Sequence, residues 1–306
     1  MLLMLADLGD AVKKMALGLS AIAALAGTPV WAADMAAPIY KAAAPAYSWT
    51  GCYIGVNGGY GWNSGSTSYQ NDPNAPFADP INFVPDPFGF DEQYIPTPSG
   101  TDGSGGLAGG GAGCNWQIQQ WVAGLEADID WAHISGSDTS SAFGQFSTGP
   151  GGIYTSIDNT GTANEQVTVR WLSTIRGRAG FAVQDRLMLY ATGGVAIGGI
   201  DTQGSVTTSS PFPGFNNPAW TGSDSTVKAG GVIGGGAEWA FTDRWTIKGE
   251  YLWYDLGHVS HQLNCTATNF PQSYCGSGGY FFGTLGSASS SVFGSILRVG
   301  INFKFN

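Results

Sequence analysis

Hydrophobic and polar positions alternate along the last segment of the chain, from Phe293 to Phe305. The odd positions are apolar apart from one serine, and they end in two phenylalanines. The even positions carry glycines, one isoleucine, one amide and the two cations Arg298 and Lys304. Alternation with a period of two predicts a β-strand whose two faces meet different surroundings.

Seven further segments repeat this alternation, so the chain predicts eight strands. Their approximate bounds are 49–62, 106–118, 121–133, 166–183, 187–200, 226–241, 245–256 and 291–306. Three of the connections between them are short, at 119–120, 184–186 and 242–244, and four are long and polar, at 63–105, 135–164, 201–225 and 257–290. No proline falls inside a predicted strand, as the hydrogen-bonding ladder of a sheet requires.

The alternation of short and long connections predicts the fold class. It is typical of an all-β, eight-stranded antiparallel up-and-down transmembrane β-barrel with four long external loops. A soluble β-sandwich is the alternative, but each of its strands would present a polar outer face, whereas here one face is apolar throughout. Composition favours the membrane barrel, because charged residues make up only 11% of the chain and aromatic residues 13%.

The N-terminal region has the pattern of an export signal. Two lysines precede the apolar run 15–27, and small residues follow it up to Ala32. The run is too short to span a bilayer, which needs about 20 apolar residues. Acidic residues lie where the first part of a signal is basic, so we expect residues 1–12 to reflect a start site placed too far upstream. The expected domains are a signal peptide at 1–32, a flexible lead-in at 33–48 and the barrel at 49–306.

Most charged residues of the predicted strands lie on the face that would point into the barrel. The predicted lumen charge network consists of Glu126, Asp128, Asp130, Arg170, Arg176, Arg178, Lys228, Glu238, Lys248, Glu250, Arg298 and Lys304. Buried charges are tolerated when they are paired, and an eight-stranded barrel is just wide enough for side chains to fill. We therefore expect a structural plug, with a charged conduction path or proton relay as the alternative.

Aromatic residues near the ends of the strands predict two girdles at the membrane interfaces. The predicted members are Trp49, Tyr60, Trp62, Trp116, Trp121, Trp131, Trp171, Trp239, Trp245, Trp253, Phe303 and Phe305. Ordinary core packing is the alternative role for such side chains.

The chain has four cysteines, an even number in an exported protein that can form disulfides. Cys52 and Cys114 fall on the apolar face near the same rim, which makes a cross-strand bridge plausible. Cys265 and Cys275 share the fourth external loop, and we expect them to close it. Four cysteines allow three connectivities, so the pairing rests on position alone.

No motif predicts catalysis, a cofactor or a metal. The chain has no nucleophile elbow, phosphate-binding loop or zinc signature, and its glycine-rich stretches lack the helix of a dinucleotide site. His258 or His261 with a loop serine could mimic an outer-membrane lipid hydrolase, but an incidental histidine is the favoured interpretation. The formal net charge of −10 argues against a nucleic-acid partner. We therefore expect neither an enzyme nor a nucleic-acid-binding protein.

Five segments carry a resemblance to a known family. They are WTGCYIG at 49–55, GYGW at 59–62, GCNWQ at 113–117, GLEAD at 124–128 and RVGINFKF at 298–305. With them the chain resembles the porin-family outer-membrane β-barrel proteins of alphaproteobacteria. The resemblance implies a place in the bacterial outer membrane, reached by export with a cleaved signal peptide. It also implies a role in envelope integrity and host contact, and some relatives are linked to haem or solute passage.

The expected function is that of a structural outer-membrane barrel that supports envelope integrity and surface or host interaction. A narrow porin-like channel for small solutes is the alternative. The expected partners are outer-membrane lipid, the barrel assembly machinery, and surface or host ligands bound by the loops. Phe303 and Phe305 resemble the terminal aromatic signal that the assembly machinery recognises, although Asn306 and not an aromatic residue ends the chain.

Overall fold

The computed structural model describes residues 47–71, 100–146, 157–209, 219–266 and 285–305. The strands in these ranges are β1 (Gly51–Ser64), β2 (Thr67–Asn71), β3 (Gly103–Ile118), β4 (Trp121–Phe146), β5 (Ile157–Gln184), β6 (Leu187–Ser209), β7 (Ala219–Ala240), β8 (Trp245–Gln262), β9 (Asn264–Thr266) and β10 (Leu285–Lys304). Nowhere in these ranges is there a helix long and apolar enough to cross a membrane. The predicted signal peptide and most of the lead-in lie outside the described residues.

Every strand pairs antiparallel with its neighbours, in the order β1-β3-β4-β5-β6-β7-β8-β10. The short strand β2 follows β1 and pairs with β10, and the short strand β9 follows β8 and pairs with β7. Each short strand therefore continues the longer one before it. Counting each such pair as one course of the chain, the described sheet has eight courses. The first and last courses also pair, from Tyr53 with Lys304 to Ser64 with Phe293. This pairing closes the sheet, so the predicted eight-stranded up-and-down barrel is confirmed. Closure removes the open edges that lipid would not tolerate.

The outer face of the barrel carries the large apolar side chains. Trp131 is the clearest case, with 74% of its surface exposed. Exposed aromatic residues form a turn-side row beside the short turns, which includes Trp121, and a loop-side row at the other end, which includes Trp131. The ten residue steps from Trp121 to Trp131 span about 33 Å along β4 at about 3.3 Å per residue. With a strand tilt of about 40°, the apolar belt is about 25 Å high, as a membrane barrel requires.

The strands continue far beyond the loop-side row. β4 has 26 residues and β5 has 28, whereas a membrane-crossing strand needs only about 9–11. We call the part beyond this row the extension, formed by residues 64–71, 134–146, 157–169, 201–209, 219–226, 257–266 and 285–292. The predicted loops 135–164 and 201–225 are therefore wrong in extent, because much of each is paired strand. Their outer faces meet water and carry Ser, Thr, Asn and Gln, so the apolar alternation disappears.

Two bulges change which side chains point inward. On β5 the pairing with β6 shifts at Arg170, and on β8 the pairing with β10 shifts beside Gly257, whose φ is +75°. A one-residue shift exchanges the two faces of a strand. Val167 and Val169 lie on the apolar face of the predicted strand 166–183, the face opposite its inward-pointing charged residues, but they are buried inside the barrel.

Candidate functional site: the filled lumen

The lumen contains apolar and polar side chains in successive layers. At the turn side lies the lower apolar layer, and beyond it follow a charged layer, a middle apolar layer, an upper polar layer and an upper apolar layer. The lower apolar layer is Tyr47, Trp49, Val122, Met188, Tyr190 and Ala240. The middle apolar layer includes Ile134, Val167, Val169, Leu252 and Tyr254. The upper apolar layer is Tyr69, Ala163, Val206, Trp220, Leu263 and Ala288.

The lower apolar layer corrects two predictions. Trp49 was predicted to lie in an interfacial girdle, but it is only 2% exposed and packs inside the barrel mouth. Its backbone N–H donates to Gln117 Oε1 at 2.7 Å, and its ring centre lies 4.9 Å from that of Tyr47, with the two rings nearly perpendicular. Lys304 was predicted to join the carboxylates, but its ammonium donates to the Ser48 carbonyl and lies 4.8 Å from the Tyr47 ring.

Two fully buried arginines hold the charged layer together. Arg176, on β5, donates to Glu126 at 2.6 Å, to Asp128 at 2.7 Å and to Glu250 at 2.9 Å. Arg298, on β10, donates to Asp128 at 2.6 Å, to Asp130 at 2.7 Å and to Glu250 at 2.8 Å. The acids come from β4 and β8, so Arg176 joins β5 to β8 and Arg298 joins β10 to β4, two pairs of strands that are not neighbours in the sheet.

One further contact spans the full width of the lumen. Lys248 on β8 donates to Glu126 on β4 at 2.6 Å, and these two strands lie on opposite sides of the ring. Arg178 pairs with Glu238 at 2.6 Å, and its guanidinium lies 4.0 Å from the centre of the Tyr190 ring.

Two tyrosines of this region were missed by the sequence analysis. The Tyr53 hydroxyl donates to Glu126 at 2.5 Å, and the Tyr190 hydroxyl donates to Glu250 at 3.0 Å. The signal was present, because each tyrosine lies at an inward position of its strand. Both were overlooked because only charged residues were considered for the lumen.

The structure brings nine of the twelve predicted network residues into one connected cluster. These nine are Glu126, Asp128, Asp130, Arg176, Arg178, Glu238, Lys248, Glu250 and Arg298. The prediction that Arg170 belongs to this cluster is wrong, because the β5 bulge points its side chain outward, where it pairs with Asp201. Lys228 faces inward and is half-buried, but it forms no ion pair with the described residues. A gap beside Tyr53 and Lys248 measures about 10 Å³, enough for about one water molecule.

The upper polar layer lies inside the extension, beyond the membrane-spanning part. Its centre is the pair Glu165 and His261, with 3.5 Å between Oε1 and Nδ1. Burial raises the pKa of Glu165 to about 8. Burial also lowers the pKa of His261, although Asp224 opposes this shift. Sequence reasoning did not find the pair, because both residues lie in or beside segments predicted as loops.

The disulfide between Cys52 and Cys114 is present and joins the neighbouring strands β1 and β3. The second predicted bridge, between Cys265 and Cys275, falls outside the described side chains. In the last described residues, the ring centre of Phe303 lies 5.0 Å from that of Trp245 and 5.5 Å from that of Phe305.

A closed antiparallel barrel with an apolar belt, two aromatic rows and a filled interior defines the class of transmembrane β-barrels. The model of the family described as outer membrane protein beta-barrel domain matches residues 20–305. The chain belongs to this family.

Relatives agree with the resemblance found in the sequence. The chain is 33% identical over 295 residues to the 31 kDa outer-membrane immunogenic protein of Brucella melitensis, covering 94% of this chain and 98% of the relative. It is 26% identical over 220 residues to the 22 kDa outer membrane protein of Rhizobium leguminosarum bv. viciae, covering 72% and 70%. OprG from Pseudomonas aeruginosa matches with a TM-score of 0.34 and 11% identity, covering 84% and 97%. The protein is an outer-membrane protein, as predicted.

Proposed function

We propose that this protein is a structural barrel of the outer membrane, whose lumen is closed by its own side chains and whose extension displays the loops for surface or host interaction. The observation that carries the proposal is the Lys248–Glu126 contact across the full width of the barrel. Arg176 and Arg298 lie beside it and bind the carboxylates of both sides.

The layers above and below the charged layer support a closed lumen. A solute would have to displace Trp49 and Met188 at the turn side, then the ion pairs, then Leu252 and Tyr254. Charges taken out of water are costly when their partners are removed. Opening this path therefore requires the loss of several strong contacts at once.

The dimensions of the extension support a role in display. Beyond Trp131, β4 continues for fifteen residues to Phe146, which corresponds to about 50 Å along the strand at about 3.3 Å per residue. At a tilt of about 40°, this carries the end of β4 about 38 Å beyond the loop-side row. The name of the Brucella relative describes it as immunogenic, which agrees with surfaces held clear of the membrane.

Planar-bilayer conductance tests the closed lumen. The folded protein should give no reproducible single-channel steps. The comparison variant replaces the four inward residues Lys248, Glu250, Leu252 and Tyr254 of β8 by serine, which removes one positive and one negative charge and opens one side of two layers. We expect steps from this variant. Equal steps from the unchanged protein would favour a narrow channel for small solutes.

Cysteine labelling tests the orientation that display requires. Thr139→Cys lies on the outer face of the extension, and Gln184→Cys lies at an exposed turn at the other end of β5. In intact cells a membrane-impermeant maleimide should label the first variant and spare the second, with the unchanged protein as background. Labelling of Gln184→Cys alone would reverse the proposed orientation.

A further inference from the structure

The upper polar layer contains a buried acid and a buried histidine that the charged layer does not use. The side chains of Glu165 and His261 are 0% and 1% exposed. Four polar atoms of this layer have no hydrogen-bond partner among the described residues. They are both carboxylate oxygens of Glu165, Nε2 of His261 and the hydroxyl of Tyr69. Buried polar atoms without partners lower the stability of the folded state. Their presence at this depth therefore points to a role beyond packing.

Bulges and glycines bring the pair together. The β5 bulge at Arg170 and the β8 bulge beside Gly257 turn the odd-numbered residues of both upper strands inward. A Cβ at Gly204 would lie 2.4 Å from Glu165 Oε2 and 2.6 Å from His261 Nε2. The absence of that side chain lets the two groups meet over β6.

Apolar residues enclose the pair on both strands. Ala163 and Val167 flank Glu165 at the neighbouring inward positions of β5, and Val259 and Leu263 flank His261 along the β8–β9 course. All four are at most 5% exposed. Among the described residues, His261 is the only basic side chain within 4.0 Å of the Glu165 carboxylate.

Three other titratable groups face the pair from the strands packed around it. Asp138 on β4 is the register partner of Glu165. Tyr69 on β2 has a pKa raised by burial and by the charges of Glu165 and Asp138. Asp224 on β7 raises the pKa of His261. Two of these groups are acids and the third becomes an anion when it ionises, so none of the three offers Glu165 a positive charge.

We propose that Glu165 and His261 form a proton lock, which keeps the extension closed while the pair holds one proton and loosens it when that proton is lost. An apolar enclosure favours the neutral pair over a lone carboxylate. Opening the extension admits water to both groups, and the acid then ionises. Opening near neutral pH therefore releases one proton.

The pH window follows from the two shifts. The pKa of Glu165 is raised from 4.5 to about 8, so its contribution to stability is full below 4.5 and is lost as pH rises to 8. The pKa of His261 is lowered from 6.5, so its contribution is full above 6.5 and is lost as pH falls below that value. Immediately below pH 6.5 the two effects oppose each other. From 6.5 to 8 only the glutamate acts, and the opening equilibrium should rise about tenfold per pH unit.

Hydrogen exchange of the folded protein in lipid vesicles tests the lock, with rates corrected for the intrinsic pH dependence of exchange. Protection of amides in 259–266 and 161–168 should fall about tenfold per pH unit from 6.5 to 8. Protection in the spanning part, 245–253, should not change. Constant protection of the upper amides across this range would overturn the proposal.

Matched variants separate the two groups. Glu165→Gln should make upper protection independent of pH from 6.5 to 8. His261→Asn should keep that fall and let protection go on rising as pH drops from 6.5 to 4.5, because the offsetting histidine is gone. His258→Gln, an exposed histidine on the same strand, should behave as the unchanged protein. A fall that persists in Glu165→Gln would refute the assignment.

Infrared spectroscopy of the unchanged protein provides a second test that does not depend on the folding of a variant. At pH 7 the carbonyl stretch of one buried protonated carboxylic acid should be present, and it should disappear with a midpoint near pH 8. A Glu165 that is already ionised at pH 7, with no such loss on titration, would rule out the lock. Neither measurement depends on whether the lumen conducts.

Discussion

Arg176 and Arg170 allow the effect of burial on an ion pair to be measured within one strand. Both lie on β5 and both pair with carboxylates, but the Arg176 side chain is 0% exposed and the Arg170 side chain 66%. Replacing each by methionine removes the charge and keeps most of the length. Arg176→Met leaves the five carboxylates of the charged layer with three cations in place of four. Arg170→Met leaves only the half-buried Asp201 without its arginine, and Asp201 still accepts a hydrogen bond from Ser225.

The expected magnitudes differ severalfold. Removing one partner of a buried ion pair costs about 3–5 kcal/mol. A comparable value, about 4 kcal/mol, follows for two charges about 4 Å apart at an effective dielectric constant of about 20. An exposed pair contributes at most about 1 kcal/mol. We therefore expect Arg176→Met to lower the free energy of unfolding by about 3 kcal/mol more than Arg170→Met does.

Urea unfolding of the protein in lipid vesicles, followed by tryptophan fluorescence, gives these free energies when the slopes of the transitions agree. A double variant sharpens the test. Adding Asp128→Asn to Arg176→Met restores the charge balance, so we expect the double variant to recover about 1–3 kcal/mol relative to additivity. If Arg176→Met costs no more than Arg170→Met, the charged layer does not hold the barrel together as argued.

Three further predictions concern the covalent bridge, strand packing and the chain end. Cys52→Ser opens a bridge with a sequence separation of 62, and it should destabilise the oxidised protein by up to about 4 kcal/mol but leave the reduced protein unchanged. Gly230→Ala should abolish the heat-modifiable barrel, because the new Cβ would lie 1.8 Å from a backbone oxygen, whereas Gly231→Ala, with nothing within 4 Å, should fold normally. Deleting residues 303–306 should block assembly into the outer membrane, seen in fractionated cells, whereas deleting Asn306 alone should not.

The spanning part of the barrel could be predicted because lipid imposes a simple pattern on it. On β8 the residues from Trp245 to Leu256 alternate between exposed and buried positions, in agreement with the predicted faces. The same rule fails in the extension. There Ser137, Thr139 and Ser141 face water from a paired strand, and nothing in their composition separates them from a loop.

The inner contacts were predictable only in part, for two physical reasons. Neighbouring acids and arginines on β4 and β5 could be paired from strand order, but the approach of Arg298 to Asp130 depends on closure of the whole ring. The bulges were hidden for a different reason. Along β5 the odd positions from Val167 to Phe181 are apolar or glycine apart from Ser173, and Val169 and Trp171 flank the bulge, so the sequence shows no break where the faces exchange.

The exchange of the inward and outward faces of β5 explains how one barrel can cross lipid and then continue into water. Below Arg170 the odd positions of β5, such as Ile175, face lipid, and above it Val167 and Val169 face the interior. The apolar face of the strand thus passes from the outside to the inside near the level of Trp171, where the surroundings change from lipid to water. Below this level the interior carries the charges, and above it the interior is mainly apolar, as in a soluble barrel. The same bulge turns Glu165 inward, out of water. The proton lock is therefore a consequence of the bulge that lets β5 continue beyond the membrane.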